Sequence, residues 1–158
     1  MVATRAVVET IARGSGYFQH AQTYSHSPVA CAAGLATLRY LKREKLVERC
    51  AGTSARLFAA LAPLREIPQV GDVRGIGMLA AVELVADRAA KTPFTRSQKI
   101  AERVTERAFA NGLIVWPNVG HVDGAGDLLM LAPPLSIGDD DLLEIGARLE
   151  RALREVFP

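Results

Sequence analysis

A chain of 158 residues, 49% hydrophobic with a mean hydropathy of +0.14, is long enough to bury one sizeable core and too apolar for a disordered tract. Nineteen Lys and Arg stand against 17 Asp and Glu, a net charge of +2 with the signs interspersed, which excludes the basic footprint of a nucleic-acid binder. No run approaches the ~20 apolar residues that cross a bilayer, charged residues interrupt the N-terminus, and two cysteines, Cys31 and Cys50, are too few for a disulfide scaffold, so a soluble protein of the reduced cytoplasm is expected.

Residues 4–13 place Val7, Val8, Ile11 and Ala12 at helical spacing, and Gly14, Ser15 and Gly16 stop the turn. So short a helix is marginal alone in water, and its apolar stripe is expected to pack on something else. His20 to Gly34 then reads HAQTYSHSPVACAAG. Ser27 is placed to cap a helix that starts at Pro28, where a fixed φ and a missing N–H cost nothing. Ahead of it, Thr23, Tyr24, Ser25, His26 and Ser27 gather hydroxyls and an imidazole beside free backbone N–H groups and the positive helix end, a setting for an oxyanion or phosphate. The plainer alternative is that the loop only caps the helix. Beyond Pro28, Val29, Ala32, Ala33, Leu35, Ala36, Leu38 and Leu41 give a small-residue face followed by a leucine stripe, with Lys42 to Lys45 solvated.

Leu46, Val47, Ala51, Leu57, Phe58 and Leu61 mark a further helix that Pro63 is expected to end, with Arg49 and Arg56 outside and both cysteines as small core or interface groups. Between Val70 and Val85, β-formers are broken by Gly71, Gly75 and Gly77 into a turn or bulge and a longer strand. Arg74 within it either holds a carboxylate ligand or makes a structural salt bridge or backbone bond, and the second is the simpler reading. Asp87 to Thr95 is a polar loop. Ile100, Ala101, Val104 and Ala108 give a helix over 97–111 with Gly112 in the left-handed position beyond it. Leu113 to Trp116 is expected as a short buried strand, 118–127 as turn-rich, and 128–132 as a second strand closed by Pro133 and Pro134. Asp139, Asp140 and Asp141 open a last helix at its positive end, with Leu142, Leu143, Ile145, Leu149, Leu153 and Val156 as its buried stripe. The sum is an α+β layer: a small mixed or antiparallel sheet covered by helices on one side. No Cys or His spacing suggests a metal, and Lys42, Lys45, Lys91 and Lys99 are expected at the surface.

Four segments in fixed order carry a resemblance: HAQTYSHSPVACAAG (His20 to Gly34), VGDVRGIGMLAAVEL (Val70 to Leu84), GLIVWP (Gly112 to Pro117) and DGAGDLLMLAPPL (Asp123 to Leu135), with Pro93 and Phe94 between the second and third. Together they resemble the class III aminotransferases, pyridoxal-phosphate enzymes of fold type I that include ornithine, 4-aminobutyrate and omega-amino acid transaminases. The resemblance covers nearly all of the chain but only the C-terminal part of such an enzyme. It implies that residues 1–27 close a large domain, that 28–62 hold a long linking helix and its successor, and that 63–158 form the C-terminal small domain.

It further implies pyridoxal 5′-phosphate as cofactor, a homodimer, and transfer of an amino group from an amine or amino acid to a keto acid. The family's cofactor-binding lysine, the aspartate on the pyridine nitrogen and the glycine-rich phosphate turn lie upstream of the segment at His20. None of the four lysines matches, so the chain is expected to hold no catalytic residue, to need an N-terminal large domain, and to be inactive by itself. Thr23 matches the threonine that reaches the cofactor phosphate of the neighbouring subunit, and Gln22 and Tyr24 flank it. Ala21 and Ser27 depart from the family's usual glycine and histidine. Trp116 stands where many relatives use an arginine for the substrate carboxylate; an indole cannot make that bidentate pair, so either another part of the enzyme binds the carboxylate or recognition is apolar. His121 and Asp123 fall in a glycine-rich loop that in one branch of the family lies near the active-site entrance; they are substrate contacts or turn formers. The competing readings are a non-catalytic interaction module of the same fold and a small-molecule binder using the Thr23 loop for an anion.

Overall fold

The computed structural model of the chain describes residues 3–158 apart from Ala21 and His26. They form two compact units, one up to Tyr40 and the other Leu41–Pro158.

In the first unit, α1 (Arg5–Arg13) is tied along its surface by the Arg5–Glu9 ion pair at 3.0 Å and ends at Gly14, whose N–H donates to Thr10 O. The second helix, α2 (Pro28–Arg43), starts at the proline as the sequence predicts. Ser27 Oγ accepts the Ala30 N–H at 3.5 Å and Ser27 O accepts the Cys31 N–H at 3.0 Å. Neither helix buries a single residue, and Val8, Val29 and Leu38 are all more than half exposed.

In the second unit, α3 (Leu46–Leu61) runs into a 3-10 turn (Ala62–Glu66). The α-helix thus ends just ahead of Pro63, as the sequence predicts, and Pro63 sits at the head of the 3-10 turn, where its missing N–H leaves no hydrogen bond unmade. Leu46, Leu57 and Leu61 are buried as expected, whereas Val47 and Ala51 are exposed and Thr53 takes the inward position, its hydroxyl donating to Arg49 O. Arg49 and Arg56 lie outside, Arg49 donating to Ile137 O at 2.6 Å and Arg56 pairing with Asp139 at 2.8 Å.

The sheet is four-stranded and antiparallel throughout, in the order β1 (Val70–Ile76), β2 (Leu79–Leu84), β4 (Ala125–Leu131), β3 (Trp116–Val122). β1 and β2 form a hairpin with a register shift at Gly71. Ala80, Val82, Leu84, Leu129 and Leu131 are buried with α3, α4 (Ile100–Ala110) and α5 (Asp139–Val156), and Leu57, Val104, Leu149 and Leu153 fill the space at zero exposure. Ile76, Leu79 and Trp116, on the other face, are exposed. α4 ends as the sequence predicts: Gly112 has φ +77° and the Leu113 N–H returns to Ala108 O. Arg148 of α5 closes that end by donating to Gly112 O at 2.9 Å.

Two expectations about this half are corrected. The stretch 113–116 is not a buried strand: Leu113 and Val115 turn inward on an extended connection, Ile114 is exposed, and pairing begins only at Trp116. The stretch 118–127 is mostly strand, because its glycines supply a bulge and one tight turn within a ladder. On α5 the apolar stripe is buried except Leu143, which is exposed, while Gly146 and Ala152 are buried.

Candidate functional site

In the first unit, the predicted phosphate-contacting residues sit on a turn that the sequence folds locally. The Ser25 N–H donates to Gln22 O at 2.9 Å, and the Gln22 N–H donates back to Ser25 Oγ at 3.1 Å. Thr23 and Tyr24 are thereby carried on the tip of a four-residue turn just ahead of α2, both exposed. The expectations about Ala21 and His26 lie outside the described residues. Thr23 presents a hydroxyl on a self-braced turn, which fits one contact to a phosphate. No side chain of this loop fits covalent attachment of pyridoxal phosphate, and Lys42, Lys45, Lys91 and Lys99 are all exposed.

In the second unit, Trp116 and His121 lie on one strand, β3, at its two ends. Trp116 pairs with Met130 of β4, and its indole is 70% exposed on the helix-free face, in line with Ala81 and Arg74 across the sheet. Asn118, opposite Leu128, places its amide 3.8 Å from the Met130 sulfur. His121 falls in the register shift between Val119 and Val122, beside Gly120 at φ +72°. Asp123 and Gly124 make the turn, both with positive φ, as a two-residue hairpin needs. Asp123 is thus a turn former by geometry. The His121 ring lies over Gly126, where a Cβ would come within 2.8 Å of it.

One residue of this hairpin escaped the sequence reading. Asp127 is 1% exposed, and its Oδ1 accepts the Ala101 N–H at the start of α4 at 2.9 Å. The signal was there as an acid at the head of an apolar strand, since a buried carboxylate demands donors.

Arg74 makes a structural ion pair, as the simpler reading has it. It bridges Glu83 and Asp72, with Asp72 Oδ2 at 3.3 Å, and Arg65 lies 3.3 Å from the other Asp72 oxygen. Hydrogen bonding to Glu83 above all, with help from Asp72 and both negative charges, holds the Arg74 pKa above its ordinary value against a lowering by burial. Among the described residues no group of three metal-ligating side chains comes together, and no helix is long and apolar enough to cross a membrane.

Against known proteins, the family model for class-III aminotransferases matches residues 1–153. The chain belongs to the class III aminotransferases. An adenosylmethionine-8-amino-7-oxononanoate aminotransferase of Nitratidesulfovibrio vulgaris is 41% identical over 79% of this chain and 22% of its own length. The crystal structure of an (S)-enantioselective omega-transaminase from Thermomicrobium roseum superposes with a TM-score of 0.85 at 33% identity, over 98% of this chain and 33% of that one. A pyridoxal-phosphate-bound aminotransferase mutant from Vibrio fluvialis gives 0.82 at 33% identity, over 95% and 32%. The chain thus spans a third or less of each of these class III relatives. The α+β fold is that of part of a pyridoxal-phosphate-dependent transaminase, and the cofactor that goes with the family is pyridoxal phosphate.

Proposed function

We propose that this chain is the C-terminal portion of a class III aminotransferase that moves an amino group from an amine or amino acid to a keto acid, and that it works only with an N-terminal large domain. The supporting observation is the superposition of 98% of the chain on only a third of a complete transaminase. In this reading residues 1–27 close the large domain, 28–62 link the domains, 63–158 are the small domain, and the assembly is a cytoplasmic homodimer.

Pyridoxal phosphate, when bound, supplies the electron-withdrawing ring on which amino transfer depends. This chain's part is to anchor and to shape. The Thr23 hydroxyl, on its exposed turn with Gln22 beside it, would donate to the cofactor phosphate held by the neighbouring subunit. Trp116 and His121, at the two ends of β3, face the substrate. Trp116 offers an apolar surface where a carboxylate would need a guanidinium, so the carboxylate is either bound by the large domain or absent from the group that meets the indole.

The test is titration of the purified chain with pyridoxal phosphate, then borohydride reduction and intact mass. The expected outcome is no stoichiometric adduct on Lys42, Lys45, Lys91 or Lys99, and activity only after a lysine-bearing N-terminal half is supplied. A single specific lysine adduct on the isolated chain would overturn the reading.

A second reading, a non-catalytic interaction module, is favoured by one observation: α1 and α2 bury nothing, and Val7, Val8, Ile11, Tyr17 and Phe18 line an apolar groove of about 460 Å³. Size-exclusion chromatography with and without an N-terminal half separates the two, because only the module self-associates regardless of that half. Stabilisation of the isolated chain by phosphate would instead favour a small-molecule binder.

A further inference from the structure

We infer that Asp127 is a positioning residue: its buried carboxylate ties the β3–β4 hairpin, with His121 and Trp116, to the first turn of α4. The inference rests on the reading above for the statement that this hairpin meets substrate, while the tie itself does not depend on it.

The start of α4 has no cap of its own. Lys99, the residue before it, is left-handed at φ +49° and offers no acceptor side chain. The nearby capping box, Thr95 with Gln98, is spent on the short 3-10 turn 96–98. Yet Ile100 and Ala101 are 2% and 0% exposed, so water cannot take the free N–H groups. Asp127 Oδ1 takes the Ala101 N–H at 2.9 Å from 26 residues away, at a helix end where the dipole favours a carboxylate.

On the strand side, Asp127 is paired on both edges of β4, opposite Leu84 at the end of the β2 ladder and opposite Val119 on β3. Val119 is the last regular pair before the register shift that holds Gly120 and His121. Beyond Asp127, toward the turn, come Gly126 at φ +92° under the His121 ring, then Gly124 and Asp123, all in conformations that a slip of one residue would exchange. A hairpin with so many glycines specifies its own register weakly. Asp127 carries a side-chain hydrogen bond outside the sheet just before that loose tip, and the bond sets where β4 sits against α4. Moving β4 by one residue would place Gly126 or Leu128 at Ala101, and neither side chain can accept the N–H.

The experiment uses the full chain. The His121 ring should shift the Gly126 α-protons upfield, and this ring-current shift, with the exchange rate of the Ala101 amide, reads the two ends of the tie by NMR. In Asp127→Ala, Ala101 exchange should rise more than about fivefold, the size of a lost helix cap, and the Gly126 shift should collapse while β1–β2 amides stay put. Asp127→Asn keeps an oxygen acceptor, so it should retain the Gly126 shift with only a smaller, selective rise at Ala101. A folded Asp127→Ala with an intact Gly126 shift overturns the inference. So does an Asp127→Asn variant that keeps the Ala101 amide protected yet loses the Gly126 shift, and this second result is decisive even where the alanine variant does not fold. In enzyme completed with an N-terminal half, Asp127→Ala should raise KM for the amine more than it lowers kcat. An intact NMR signature of the tie with no effect on KM would sink the substrate-facing role of the hairpin and leave the tie standing.

Discussion

Asp72 and Glu83 are direct partners across the β1–β2 ladder, an arrangement of like charges that weakens a hairpin. Arg74 lies between them and bonds both, and Arg65 reaches Asp72 and the Val73 carbonyl. These side chains are 30–53% exposed, so any one pair is worth little; the cluster matters because removing Arg74 leaves two carboxylates opposed. Arg74→Ala is therefore expected to destabilise the second unit by about 1 kcal/mol, more than an isolated surface pair, with the loss shrinking in high salt as the repulsion is screened. Urea unfolding at low and high NaCl checks it, and a loss independent of salt would point to packing of the arginine stem instead. Because the Arg74 pKa is raised, its contribution is fully present below the ordinary guanidinium value and is lost only as pH rises through the folded one. Titration of Arg74 itself therefore adds no slope to stability near neutral pH.

The α3–α5 crossing turns on Gly146, where an added Cβ would come within 2.3 Å of the Ala60 carbonyl oxygen. Backbone cannot yield there as a side chain would, so Gly146→Ala should lower stability by about 2 kcal/mol despite its better helix propensity. Gly52→Ala on α3, which meets only the Arg56 guanidinium at 3.9 Å, should instead gain up to about 1 kcal/mol. Paired denaturation curves test both, and equal effects would refute the close crossing. Nothing in the sequence marks Gly146 as different from Gly52, for both interrupt a helical pattern and only the partner helix distinguishes them. Elements whose signal is local were legible: α4 from its four apolar positions and Gly112, α5 from three aspartates and a leucine stripe, α2 from Ser27 and Pro28. β3 was not. Its glycines read as loop because a bulge and a two-residue turn use the same residues, and Leu113 to Trp116 read as buried because an apolar run does not reveal that alternate side chains face outward. Of the candidate site, the motifs single out Thr23 and Trp116 as candidates, whereas Asp127 acts through Ala101, a partner 26 residues distant that no local pattern predicts.

At the scale of the molecule, the apolar residues divide unequally. The continuous core runs from Leu57 to Val156 and lies wholly within the second unit, while α1 and α2 contribute no buried residue. Helices of 9 and 16 residues without burial have little beyond local hydrogen bonds and ion pairs such as Arg5–Glu9 to hold them. Their amides are expected to exchange through openings costing close to zero, whereas those of β2, β4 and α5 should exchange only with global unfolding of the second unit. It follows that a chain beginning at Leu41 keeps a single cooperative transition, with Tm within about 4 °C of the full chain, the shift that ~1 kcal/mol produces in a domain of this size. Removing Val8, Phe18, Tyr24, Val29 and Leu38 with the rest of the first unit should also reduce dye binding and self-association, since those side chains are part of its exposed apolar surface. Calorimetry and size-exclusion chromatography of the two chains check this together. A shorter chain that melts without cooperativity would mean that residues up to Tyr40 complete the core after all. A cooperative but equally sticky one would place the adhesive surface on the open sheet face, around Ile76, Leu79 and Trp116, instead of on the helices.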